Sequence, residues 1–184
     1  NFTVVDYSDY LQTGTISPSY TLMLAPDQMS QINLKYQKKE FIKPPFHKDE
    51  DRDADDYAAS VAWFFFFAEN KGFVNIRYEI NQEDTDGINW KYLGNRGTLN
   101  AIIPFDDAFK FSVSGDIYYQ QFDNTNTNFL TKRKDITYTG SAILTYELYK
   151  NIEMQLQYTY IWDDSNIAIY DYNNKVHNDK RVEN

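Results

Sequence analysis

Cysteine is absent from the 184 residues. Disulfides and thiolate metal sites are therefore excluded, while the compartment stays open. Histidine occurs twice, as His47 and His177, which leaves little from which to build a histidine-dependent hydrolase. Basic residues are in deficit, 18 against 27 acidic, for a net charge of −9. Non-specific nucleic-acid binding needs a basic surface that displaces counterions, so that class is excluded too. No stretch approaches the run of about 18 apolar residues that a membrane-crossing helix needs. The longest apolar run, residues 61–68, is too short to span as a helix. Asn1, Phe2 and Thr3 lack the basic and apolar regions of a signal peptide, as expected of a mature or excerpted chain. There is no glycine-rich phosphate loop, serine nucleophile elbow or zinc spacing. The expectation is a non-enzymatic protein without a cofactor.

What is present is aromatic surface in a polar chain. Phe, Tyr and Trp make up 17% of the residues, and Tyr alone occurs 16 times. That pairing fits one apolar face and one wet face. The dominant pattern is alternation with period two. Ile16, Pro18, Tyr20, Leu22 and Leu24 share one face, as do Ile32, Leu34 and Tyr36. Tyr57, Ala59, Val61, Trp63, Phe65 and Phe67 follow, then Val74, Ile76, Tyr78 and Ile80. Further along, Gly97, Leu99, Ala101 and Ile103 alternate with polar residues, as do Phe109, Phe111, Val113, Gly115, Ile117 and Tyr119. The last two stripes run from Ile136 to Leu148 and from Ile152 to Trp162. This gives at least eight long strands in one all-β domain spanning residues 1–184. The connections alternate between tight turns (25–28, 68–72, 105–107, 149–151) and long polar loops (41–56, 82–89, 123–133, 163–175). Successive hairpins then put all tight turns on one side, the asymmetry of an antiparallel transmembrane β-barrel.

Period two does not say which face is inside. Three arguments put the apolar face outward, against a lipid bilayer. A narrow barrel has little room for rows of Tyr and Phe. Aromatics gather near stripe ends as interface girdles do: Trp63, Phe65, Phe67, Phe73 and Phe109 toward the tight turns, and Tyr36, Tyr78, Tyr119, Tyr138, Tyr158, Tyr160 and Trp162 toward the long loops. The other face carries Lys35, Arg77, Glu79, Arg96, Asp116, Glu147 and Glu153. Inside a lumen these pair or filter solutes, whereas a cation at the lipid midplane costs about 2–4 kcal/mol. Phe64 and Phe66 break the alternation and are expected to point inward as a lumen constriction. A soluble β-barrel or sandwich is the alternative.

The stretches "NKGFVNIRYEINQEDTDGINWKYLGNRGTLNAIIPF" and "KRKDITYTGSAILTYELYKNIEMQLQYTYIWDDSNIAIYDYNN" resemble the C-terminal β-barrel domains of Gram-negative outer-membrane proteins. They are most similar to barrels that follow tetratricopeptide repeats, including the surface lipoprotein assembly modifier type. The most specific piece is Asp164-Ser165-Asn166 followed by Tyr170-Asp171-Tyr172, which in such barrels lies in the last long loop. The resemblance implies an outer-membrane location, contact with membrane lipid and lipopolysaccharide, and a role in export, assembly or passage of a polymer or protein, with a periplasmic partner. Two departures stand out: no helical repeats precede the strands, and "NDKRVEN" stands where the family has a closing strand ending in an aromatic residue. The barrel is accordingly expected to be incomplete at the C-terminus, its completeness at the N-terminus is open, and so is its total strand number.

Among polar clusters, "HKDEDRDADD" is the most charged. Asp51, Asp53 and Asp55 offer carboxylates of the kind calcium prefers, but the loop lacks the Gly and Glu of an EF-type loop, so a solvated loop is the simpler reading. Its acidity also suits divalent cations that bridge lipopolysaccharide phosphates. Asp86-Gly87 reads as turn chemistry, with Gly supplying positive φ. The leading function is a conduit or assembly barrel. The runner-up is a small structural or adhesive barrel whose acidic loops bind a partner.

Overall fold

The computed structural model describes residues 10–42, 45–106, 108–150, 152–170 and 176–183, with backbone alone from residue 168 onward. It is all-β. The strands are β1 (Leu11–Ile16), β2 (Ser19–Ala25), β3 (Gln28–Phe41), β4 (Ala54–Phe67), β5 (Gly72–Thr85), β6 (Tyr92–Pro104), β7 (Phe109–Thr125), β8 (Lys132–Tyr149), β9 (Ile152–Tyr170) and β10 (Val176–Glu183). A single 3-10 turn, Lys48–Glu50, interrupts the loop between β3 and β4.

Every pairing is antiparallel, and from β3 to β10 each strand pairs with the next in sequence. β1 and β2 both pair with β3, β1 along residues 36–41 and β2 along residues 28–33. They form one edge strand broken at Ser17-Pro18. Proline has no N–H for the ladder and is confined to such edges. The break is bridged, since Leu34 N–H donates to the Pro18 carbonyl at 3.0 Å.

Among the described residues the strand number left open above is ten, at nine positions in the sheet. Two expectations are corrected here. Residues 163–170 belong to β9 and not to a loop, while Asp171 and Tyr172 lie outside the described residues. A strand, β10, occupies the segment expected to lack one. Alternation fails as a guide there because Asp163, Asp164 and Ser165 pair in a ladder without an apolar stripe.

The sheet is not closed. The sheet has nine strand positions, with the β1/β2 edge at one end and β10 at the other. With antiparallel neighbours throughout, an odd number of positions leaves both edges running the same way, from the loop side to the turn side. The two edges therefore cannot join as an antiparallel pair.

The register fixes the faces. One row reads Tyr20, Ile32, Val61, Tyr78, Gly97, Ile117, Tyr138, Trp162. The next reads Trp63, Ile76, Leu99, Gly115, Gly140, Tyr160. The alternating stripes thus merge into one apolar face across the sheet. That face is uncovered: Ile32 is 52% exposed, Val61 49%, Ile76 52% and Ile117 50%. The buried hydrophobics among the described residues are only Ala54, Ala62, Ala101, Phe122 and Ile167. Among the described residues no second layer covers the sheet to make a core, which a folded sheet normally requires.

The tight turns fall on one side as expected. Between β4 and β5, Ala68, Glu69 and Asn70 all have left-handed backbones, with φ of 50°, 55° and 67°. Between β6 and β7, Asp106 Oδ1 accepts from the Ala108 and Phe109 N–H groups at 2.8 and 2.7 Å, so the side chain closes the turn.

Candidate functional site

The face opposite the apolar one holds the polar residues. Residues directly opposite on paired strands share a face. By that rule Lys35, Arg77, Glu79, Arg96, Asp116, Glu147 and Glu153 all lie on the polar face.

Toward the loop side this face carries a connected network. Lys35 Nζ lies 2.6 Å from Asp56 Oδ2, and Lys39 Nζ lies 2.6 Å from Glu83 Oε2 and 3.9 Å from Asp56. Tyr92 donates to Glu83 at 2.9 Å. Tyr118 is the next link, with its hydroxyl 3.2 Å from that of Tyr92 and 3.0 Å from Asn81 Oδ1. Two lysines alternate with two carboxylates, so four charged groups cancel locally. Midway along the sheet, Arg96 Nε donates to Asp116 Oδ2 at 2.6 Å and Thr98 donates to the same oxygen at 3.0 Å. Arg133 grips Asp135 through two nitrogens at 2.6 and 2.7 Å while its guanidinium lies over the Phe122 ring. Near the tight turns Lys110 reaches Glu153 at 3.4 Å.

Gly94 makes room for this network. A Cβ there would collide with Asn81 Oδ1 and come within 2.7 Å of the Tyr118 hydroxyl. Tyr118, Tyr92 and Asn81 were not singled out from sequence. The available signal was the glycine itself, since Gly inside a strand often marks a close approach.

Phe64 and Phe66 lie on the polar face as the broken alternation suggests. Phe73 joins them and departs from expectation. It pairs directly with Phe66, and its ring centroid is 6.4 Å from that of Phe64 and 6.3 Å from that of Phe66. The reason is parity: Phe73 is one residue from Val74, so it faces away from the Val74 stripe. The other interface candidates, Trp63, Phe65, Phe67, Phe109, Tyr36, Tyr78, Tyr119, Tyr138, Tyr158, Tyr160 and Trp162, share the apolar face. Their rings cluster locally, Tyr36 with Tyr57 at 5.3 Å and Tyr138 with Trp162 at 5.9 Å on the loop side. Trp63, Phe65 and Phe67 stack in sequence toward the turn side. Tyr158 shares a row with Ala142, Val113, Ala101, Val74 and Phe65, and Tyr160 shares one with Trp63.

The long loops interlock around Glu50. Its Oε1 accepts from Asn89 at 2.7 Å and Asn128 at 2.9 Å, and its Oε2 accepts from the Trp90 indole at 2.8 Å. Asn89 also pairs with Thr127 through both its side-chain amide and carbonyl. Arg52 stacks 3.7 Å from the Trp90 ring centroid. Lys91 ties to Asp84 at 2.5 Å, and that hydrogen bond raises its ammonium above the ordinary lysine value. Gly87 is needed here for space and not for positive φ. Its φ is not positive, and a Cβ would meet the Asp51 backbone oxygen at 2.5 Å and that of Asp49 at 2.7 Å.

The carboxylate trio is also revised. Asp51 and Asp53 come together with Asp86, their ligand atoms within 4.8 Å of one another. Asp55 is elsewhere, accepting from the Tyr36 hydroxyl at 2.7 Å on the opposite face. The trio has structural work: Asp53 Oδ1 accepts from Phe41 N–H at 2.6 Å and Asp51 Oδ1 from Asp53 N–H at 3.1 Å. His47 lies beside the ring of Phe46, while His177 is described by its backbone alone.

No known family model matches the chain, and neither a curated protein nor a solved structure does.

Proposed function

We propose that the chain is part of a transmembrane β-barrel of the outer membrane, a non-enzymatic conduit or assembly element through which a polymer or protein passes. The apolar face meets lipid and, toward the loops, lipopolysaccharide. The polar face lines the lumen, and the tight turns lie in the periplasm beside a periplasmic partner.

One observation carries this reading: an uncovered apolar face, running from β2 to β9, backs onto a face whose described cations, Arg77 excepted, are paired with carboxylates. A soluble domain rarely leaves so large an apolar surface open. A bilayer covers it, and β structure in a bilayer must have its edges paired. The same-way edges mean that an all-antiparallel ring needs an odd number of further strands, which agrees with the even counts of bacterial barrels.

Tryptophan placement supplies the test. Trp63 and Trp162 lie on the apolar face, and Trp90 lies in the loop cluster. In vesicles of brominated lipid, single-tryptophan variants retaining Trp63 or Trp162 are expected to be quenched and the Trp90 variant spared. Equal quenching of all three, or of none, refutes the placement. Conductance steps in planar bilayers then test the passage itself.

The Glu50 cluster favours a second reading in one respect, since it presents the acidic loops in fixed form. A non-conducting barrel that binds a partner through those loops is the outcome that supports it.

A further inference from the structure

A hollow of about 380 Å³ opens on the polar face on the turn side of the ion-pair networks. Its lining includes Phe64, Phe73, Asn75, Arg77, Asn100 and Ser114. That volume is at the small end of the range for ligand pockets, about 300–1,000 Å³.

Arg77 is the anomaly. Among the strand residues of this face whose side chains are described, each other cation has a carboxylate within reach: Lys35, Lys39, Arg96, Lys110 and Arg133. Arg77 has none, and its Nε is buried without an acceptor. A desolvated guanidinium N–H left unpaired is costly, and its best partner is a planar carboxylate held through two nitrogens. A single cation matches a monoanion.

The rest of the lining narrows the ligand. Asn100 donates to Asn75 at 3.4 Å and Asn75 donates to the Trp63 carbonyl at 3.1 Å, so both amides are held in one orientation. Half-buried phenyl rings stand beside these amides and the serine hydroxyls. A purely apolar carboxylate would offer nothing to the serine hydroxyls or to the remaining hydrogen-bonding capacity of the amides. A pyranose has an apolar C–H face for the rings and hydroxyls for the polar groups.

We propose that this hollow binds a carboxylate-bearing sugar, with Arg77 holding the carboxylate, Phe64 and Phe73 carrying the ring, and Asn75, Asn100 and Ser114 bonding its hydroxyls. The inference rests on the conduit reading in one respect, that the polar face is open to solutes. It holds for a free uronic acid and for a uronic-acid unit of a passing polysaccharide.

The test is calorimetry on the folded protein in detergent, titrated with galacturonate, galactose, acetate and a galacturonate trimer. Galacturonate is expected to bind about tenfold or more tighter than galactose or acetate, because only it engages both halves of the site. Arg77→Gln abolishes the preference over galactose, whereas Arg96→Gln, which alters a compensated arginine on the same face, preserves it. Tighter binding of the trimer than of the monomer marks a polymer unit, and equal binding marks a free sugar; both support the site. Galacturonate binding no tighter than galactose in the unaltered protein overturns it, as does a preference that survives Arg77→Gln. Lipid quenching on the same preparation reads membrane placement separately, so failure of the site and failure of the barrel reading are distinguishable.

Discussion

Alanine at position 94 adds one methyl group where none fits. The new Cβ would strike Asn81 Oδ1 and lie 2.7 Å from the Tyr118 hydroxyl and 2.9 Å from its Cε2. Tyr118 must then swing away, giving up its hydrogen bonds to Asn81 and Tyr92. Overpacking costs about 1–3 kcal/mol and a lost hydrogen bond about 0.5–1.5 kcal/mol, so Gly94→Ala is expected to destabilise by about 2–4 kcal/mol. Gly97, three residues along the same strand, is the control. Its Cβ would meet nothing within 4 Å, and its φ is not positive. Gly97→Ala should therefore be neutral or stabilise by about 0.4–1 kcal/mol, through reduced freedom of the unfolded chain. Urea unfolding of the protein in vesicles, followed by tryptophan fluorescence, measures both. Equal midpoints for the two variants, at an unchanged slope, would refute the close approach of Tyr118 to the Gly94 backbone.

Glu50→Ala removes the acceptor shared by Asn89, Trp90 and Asn128. Amide exchange is expected to speed up in residues 86–91 and 126–131 while the strand ladders stay protected; unchanged exchange in both loops would show that Glu50 does not hold them. Asp56→Asn leaves Lys35 without its carboxylate and takes one of two from Lys39, and should cost about 1–3 kcal/mol in the same unfolding assay. A stability within 0.5 kcal/mol of the parent would mean water already serves those lysines. Glu69→Gly relieves a left-handed backbone in a non-glycine residue and should raise the unfolding midpoint, by about 1 kcal/mol. A lowered midpoint would contradict the left-handed turn.

Strand order and faces were legible where apolar residues recur every second position. Ile32, Val61, Ile76 and Ile117 needed only that pattern to be assigned to one face, and the ladders agree. The reading failed where the pattern stops. Residues 163–165 form ladder through backbone hydrogen bonds, which their polar side chains do not announce. Phe73 was drawn into the girdle by its aromatic character, although its parity with Asn75 and Arg77 already placed it on the other face. The Asp51, Asp53 and Asp55 trio followed spacing in one loop, but Asp55 lies in a strand and Asp86 arrives from another hairpin.

The sequence alone determined an all-β meander with tight turns on one side, because period-two alternation and turn residues are local and fix pairing between neighbours. It also determined that one face is apolar and the other wet. Tertiary structure decided the rest, because contacts between residues 20 to 80 apart in sequence depend on register, to which composition is blind. It brought Glu50 to Asn128, Tyr118 to Asn81 across Gly94, and Asp86 to Asp51. It also paired every strand cation of the polar face whose side chain is described, except Arg77.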